Sequence, residues 1–158
     1  MRHYYDYEEF LQDCHSLTQQ IDWEFDTIIG IARGGLTLSH LLGEYYNIRE
    51  VYAINTIGYN DTKKLDHTEV FNIPDIKSAK NILLVDDIVD SGETLELVLK
   101  TLSTRYPHAR LKTASLLYKE TACIKPDWYV KHADVWIDFF WSDDLKKISS
   151  DKPLHSEL

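Results

Sequence analysis

Four short apolar runs recur along this chain: TIIGIA (Thr27 to Ala32), VYAINTI (Val51 to Ile57), NILLVD (Asn81 to Asp86) and LKTASLLY (Leu111 to Tyr118). Each has the length of a buried strand. The first and third are followed by helical spacing: LTLSHLLGEYY after Gly34 and Gly35, and Gly92 to about Arg105, where Leu95, Leu97, Val98, Leu99 and Leu102 supply apolar faces. Upstream, Tyr7, Phe10, Leu11, Cys14, Leu17 and Ile21 predict an amphipathic helix over residues 6 to 20. Strands alternating with helices imply an α/β fold, a mostly parallel twisted sheet with helices on both faces.

The 158 residues suit one core, so 1–158 reads as a single domain. With 17 basic and 26 acidic residues and a formal charge of -9, the chain lacks the footprint of a nucleic-acid or anionic-membrane binder. No window approaches the roughly 18 consecutive apolar residues of a membrane span. Cys14 and Cys123 lie far apart, and MRHYYDYEEF has no apolar signal core, so a cytoplasmic protein without disulfides is expected. From about residue 58 to 78 the text is polar and aperiodic, as in a functional loop, with a β-hairpin around Glu69 to Ile73 as the plainer alternative. The tail WYVKHADVWIDFFW has room for two short strands.

The stretch NILLVDDIVDSGET, Asn81 to Thr94, crowds three carboxylates where a buried strand ends. Asp90 or Ser91 can cap the helix that follows, and Glu93 would complete a capping box. That leaves Asp86 and Asp87 without a structural task. Two neighbouring carboxylates at a strand end suit ligand hydroxyls or a hydrated metal ion. The backbone N–H groups of Ser91 to Thr94, with both hydroxyls, would cradle a phosphate at the helix N-terminus. A receiver-type acid pair is excluded by position, because it would end the first strand of its fold, and here two strands precede it.

ILLVDDIVDSGET resembles the diphosphate-sugar signature of type I phosphoribosyltransferases, and IIGIARGGL resembles that family's pyrophosphate loop about fifty residues upstream. The resemblance implies the type I phosphoribosyltransferase fold, with a flexible active-site loop and a small base-binding C-terminal hood. It also implies a reaction at the anomeric carbon of phosphoribosyl pyrophosphate with Mg²⁺ as cofactor. Asp86 and Asp87 would hold the ribose hydroxyls and the metal, directly or through water. Asp90, Ser91, Gly92, Glu93 and Thr94 would grip the 5′-phosphate. Arg33, Gly34 and Gly35 would meet the pyrophosphate, with a non-proline cis peptide between Ala32 and Arg33.

An aspartate at position 90 is similar to the 6-oxopurine enzymes of the family, where it stands near purine N7 and acts as the base. The segment from about 119 to 144 resembles the base-binding end of small bacterial xanthine-guanine phosphoribosyltransferases. By that motif Lys119 reads O6, Trp136 stacks on the ring, and Ile137 offers main-chain groups to the 2-position. The implied function is purine salvage from guanine, xanthine or hypoxanthine, by a homo-oligomer (dimer or tetramer). A phosphoribosyl pyrophosphate-binding regulator, or a transferase of different base specificity, is the alternative. Two departures stand out: Gly58-Tyr59 replaces a serine–tyrosine pair whose tyrosine would shield the reacting centre, and Phe139-Phe140 replaces polar and proline residues.

Overall fold

A computed structural model describes residues 1–59 and 67–149. The chain runs β1 (Arg2–Tyr5), α1 (Tyr7–Gln20), β2 (Thr27–Ala32), α2 (Gly35–Tyr46), β3 (Val51–Tyr59) and β4 (His67–Phe71). It continues through β5 (Asn81–Val89), α3 (Glu93–Arg105), β6 (Arg110–Tyr118), β7 (Lys131–His132), β8 (Trp136–Phe139) and α4 (Phe140–Ile148). The main sheet has the order β4-β3-β2-β5-β6-β7. All its pairs are parallel except β3 with β4.

Alternation along the strands sorts side chains onto two faces. Ile28, Leu83, Val85, Ala114 and Leu116 face one layer, which Phe10, Cys14 and Leu17 of α1 and Leu38 and Leu42 of α2 complete. Ile29, Ile31, Ile82 and Leu84 face the other, covered by Leu95, Val98 and Leu102 of α3. The expected layering therefore holds. Asp6 starts α1, its carboxylate accepting the Glu9 N–H at 2.8 Å. Of the expected apolar stripe, Tyr7 and Leu11 are exposed instead. Asp13 is buried on that helix, satisfied by the Tyr5 hydroxyl at 2.7 Å and Lys131 at 3.1 Å.

Three features depart from the sequence reading. The segment 58–78 is not all loop: β3 runs on to Tyr59, and β4 pairs back on it from His67↔Tyr59 to Phe71↔Asn55. Residues 60–66 of the expected loop, and the side chain of Tyr59, lie outside what is described. Residues 2 to 5 form an additional strand, which pairs in parallel with β8 in a separate two-stranded sheet. Finally, β5 does not stop at Asp86 but reaches Val89, because Ile88 and Val89 still pair with Leu117 and Tyr118 of β6.

Strand order places the site. The crossover through α2 carries the chain from β2 outward to β3, and the crossover through α3 carries it the other way, from β5 to β6. Between the carboxyl ends of β2 and β5 the two loops part, and ligands of open α/β sheets bind in that kind of crevice.

Candidate active site

A cleft of about 380 Å³ occupies that crevice. From β2 and its loop come Ile31, Ala32, Arg33 and Gly34, and from β5 and its turn come Asp86, Asp87, Asp90, Ser91, Gly92 and Thr94. Thus most of the residues singled out for phosphoribosyl pyrophosphate converge on one space. Gly35 and Glu93 do not line it. Gly35 is buried beneath, where an added Cβ would stand 2.5 Å from the Val85 carbonyl oxygen, so this glycine lets α2 sit directly on β5. Glu93 is the exposed first residue of α3. Thr56 of β3 lines the cleft although the motifs did not mark it. The available signal was a polar residue near the carboxyl end of an otherwise apolar strand.

The Ala32–Arg33 peptide bond is cis, as the resemblance implied. Beyond it Gly34 has helical backbone angles (φ -55°, ψ -37°), so its role is close approach rather than unusual φ. An added Cβ at Gly34 would lie 2.4 Å from Asp87 Oδ2 and 2.6 Å from Asp87 Cγ. Gly34→Ala is therefore expected to displace either the loop or the carboxylate. Activity should fall about 10²-fold, the scale of a misplacement near 1 Å at a reacting centre. Steady-state kinetics beside a circular dichroism spectrum checks this, and unchanged kcat/KM would refute it.

Asp86 and Asp87 accept hydrogen bonds from the next backbone N–H, Asp87 N at 2.9 Å and Ile88 N at 2.7 Å. Neither forms an ion pair among the described residues. Burial, reinforced by the neighbouring Asp87 charge, raises Asp86 well above the usual carboxylate range. Burial raises Asp87 too, against hydrogen bonds that favour its charged form. Without a ligand, the pair holds protons more tightly than free carboxylates would.

The capping box is absent. The N-cap of α3 is Gly92, at φ 82° with no side-chain cap, while Ser91 Oγ accepts the Glu93 N–H at 3.3 Å. Only glycine takes that left-handed conformation at no steric cost. The turn is clamped from above: Cys123 N donates to Ser91 O at 2.8 Å, and Lys119 N donates to Val89 O at 2.9 Å. Beyond Glu93, whose N–H goes to Ser91 Oγ, the first amides of α3 remain available to an anion.

Asp90 does not cap the helix but pairs with Lys119, Oδ1 to Nζ 2.8 Å. The family resemblance assigns these two residues to one purine ring, and the fold puts them side by side. Trp136 and Ile137 lie on β8 and, like Lys119, are not among the residues that line the cleft. Trp136 is 60% exposed. Its Nε1 donates to Asp138 Oδ1 at 3.0 Å, and the Arg2 guanidinium lies 5.7 Å from the ring centroid. Ile137 is half-buried against the first core layer. The two unexpected phenylalanines also have work here: Phe139 stacks on Trp141 (4.5 Å, 10°), and Phe140 packs edge-on against Tyr7 and Phe10. They dock α4 onto α1.

Comparison with known proteins agrees with this geometry. The family described as "Phosphoribosyl transferase domain" matches residues 2–147. The Helicobacter pylori xanthine-guanine-hypoxanthine phosphoribosyltransferase is 44% identical, with a TM-score of 0.88 over 95% of this chain and 99% of that one. A purine phosphoribosyltransferase from Pyrococcus horikoshii is 25% identical, with a TM-score of 0.76 over 99% of both chains. The xanthine-guanine phosphoribosyltransferase of Cereibacter sphaeroides is 29% identical over 153 residues, 90% of this chain and 87% of that protein. With its acid pair, cis loop and phosphate turn set at one sheet crevice, the chain belongs to the phosphoribosyl transferase domain family.

Proposed function

We propose that this enzyme transfers the phosphoribosyl group of phosphoribosyl pyrophosphate to a 6-oxopurine (xanthine, guanine or hypoxanthine), yielding the nucleoside 5′-monophosphate and pyrophosphate, in purine salvage. The observation that carries the base class is the Asp90–Lys119 pair at the cleft. An ammonium donates to O6, which a 6-oxopurine offers and a 6-aminopurine does not, while a carboxylate beside it accepts the N7 proton. The similarity to the Helicobacter pylori enzyme supports the same reading.

In the reaction the N9–C1′ bond forms as the C1′–oxygen bond to pyrophosphate breaks. Pyrophosphate leaves with that electron pair, and the N7 proton passes to Asp90. Ser91, Gly92 and Thr94 hold the 5′-phosphate, and Glu93 contributes its backbone N–H, which turns to the phosphate from Ser91 Oγ. Asp86 and Asp87 hold the 2′- and 3′-hydroxyls. Arg33 and the backbone at Gly34 and Gly35 meet the pyrophosphate. Trp136 stacks on the base and Ile137 meets its 2-position.

The acid pair suits Mg²⁺, which takes one or two carboxylates and completes its shell with water and substrate phosphates. When bound, the ion neutralises charge developing on the leaving pyrophosphate. Buried carboxylates with no cationic partner among the described residues fit that task, and Asp86 and Asp87 would be its ligands, directly or through water. Among the described residues no helix is long and apolar enough to cross a membrane. A cytoplasmic homo-oligomer, dimer or tetramer, completes the proposal.

Supplying xanthine, guanine, hypoxanthine, adenine and orotate separately with phosphoribosyl pyrophosphate and Mg²⁺ tests the reading. Turnover of the first three is expected. No product with any base sinks the enzyme assignment, and product only with adenine or orotate sinks the base class. Lys119→Ala should raise the KM for guanine by about 10- to 100-fold, the loss of a hydrogen bond to a charged group, while that for phosphoribosyl pyrophosphate stays near its original value. Equal loss for both substrates would count against base reading.

A further inference from the structure

We infer that Lys146, on α4, is a second cationic contact for the pyrophosphate end of the substrate, in a cavity that continues the cleft past the Arg33–Gly34 loop. This rests on the reading of the cleft as a phosphoribosyl pyrophosphate site. The residues lining the cleft include three aspartates, and Arg33 is the one cation among them within the described residues. Lys119 is committed to Asp90. Among the described residues of the cleft, a multiply charged pyrophosphate therefore meets one protein cation beside the proposed Mg²⁺.

A second cavity of about 290 Å³ shares Arg33, Gly34 and Asp87 with the cleft and is closed by Trp141, Ser142 and Lys146. The shared residues make the two spaces neighbours across one loop. With the 5′-phosphate at the Asp90 to Thr94 turn, the opposite end of the substrate reaches Arg33 and this second space. Lys146 has no ion-pair partner among the described residues, since Asp144 on the same helix goes to Lys147 at 3.8 Å. The helix is fixed there by aromatic packing: Trp141 lies against Phe10 at 5.3 Å and stacks on Phe139. An exposed lysine on a docked helix can turn its ammonium into the cavity with no rearrangement of backbone.

Lys146→Ala and Lys146→Arg test the assignment in two measurements. The first is the KM for phosphoribosyl pyrophosphate at saturating base. The second is the dissociation constant of pyrophosphate with Mg²⁺, by calorimetry without base. The alanine variant should raise both about tenfold, the scale of one charge-assisted hydrogen bond. Arginine should restore both, with the KM for base and the melting temperature unchanged. Wild-type values in the alanine variant overturn the inference, and so does a loss shared equally with the base or accompanied by a lowered melting temperature. If the wild-type protein binds pyrophosphate through Lys146 but makes no nucleotide from any base, the proposed reaction falls while this assignment stands.

Discussion

Asp90→Asn should lower kcat by about 10²–10⁴-fold, the usual contribution of a general base, and leave the binding of phosphoribosyl pyrophosphate within about twofold of wild type, well under the 1.4 kcal/mol that a tenfold change represents. The amide keeps the shape of the side chain and can still meet Lys119, whose ammonium now lies 2.8 Å from Asp90 Oδ1. What it lacks is the capacity to take the N7 proton. Ser91, Gly92 and Thr94 are untouched, so the phosphate turn keeps its grip. The measurement is a pair of titrations, turnover against base and calorimetric binding of phosphoribosyl pyrophosphate. Unchanged kcat would remove Asp90 from the role of base, and joint loss of binding and turnover would make it a structural or phosphate-site residue.

Asp86→Asn should also abolish most turnover, yet make the ligand-free protein more stable at neutral pH. The folded pKa of Asp86 is raised by burial and by the Asp87 charge above an unfolded value of about 3.9. A raised carboxylate contributes stability that is fully present below the unfolded value and lost as pH rises through the folded one. As pH rises through that folded value the wild-type protein loses this contribution, and asparagine removes the charge responsible. Relief of about 1 kcal/mol, less than the ~1.4 kcal/mol of one pKa unit, should raise Tm by about 2–4 °C in a chain of this size. The wild-type melting temperature should fall as pH rises from about 3.9, the unfolded value, through the raised folded one, with a flatter profile in the variant. For the same reason Mg²⁺ with phosphoribosyl pyrophosphate should bind more tightly as pH rises through this range. Thermal melts across pH, without ligand, decide the matter. A variant less stable than wild type at neutral pH would refute the strained pair.

Local sequence could mark the acid pair, the phosphate turn and the arginine–glycine loop because each is a contiguous run whose chemistry follows from neighbouring residues. Helices α1, α2 and α3 were legible for a similar reason, since three- and four-residue spacing is a property of one segment. Strand β4 was legible only as the plainer alternative, a hairpin around Glu69 to Ile73, because TEVF lies among polar residues and is held as a strand by its antiparallel pairing to β3. Strand β1 was not legible, since it pairs only with β8, more than a hundred residues away. The capping box failed on a competing local device, the positive-φ Gly92 held by Cys123 and Lys119 of a later turn.

Acids, phosphate-binding amides and a glycine loop at the strand ends of an α/β sheet follow from short windows of the chain, since each is encoded by neighbouring residues. Tertiary structure alone decided which strand ends meet. By placing β2 beside β5 it brought Gly34 against Asp87 and closed the cleft. By folding the turn after β6 over that after β5 it joined Lys119 to Asp90. Docking α4 through Phe139, Phe140 and Trp141 set Lys146 at the edge of the same site, a juxtaposition with no trace in sequence spacing because it depends on packing between segments far apart in the chain.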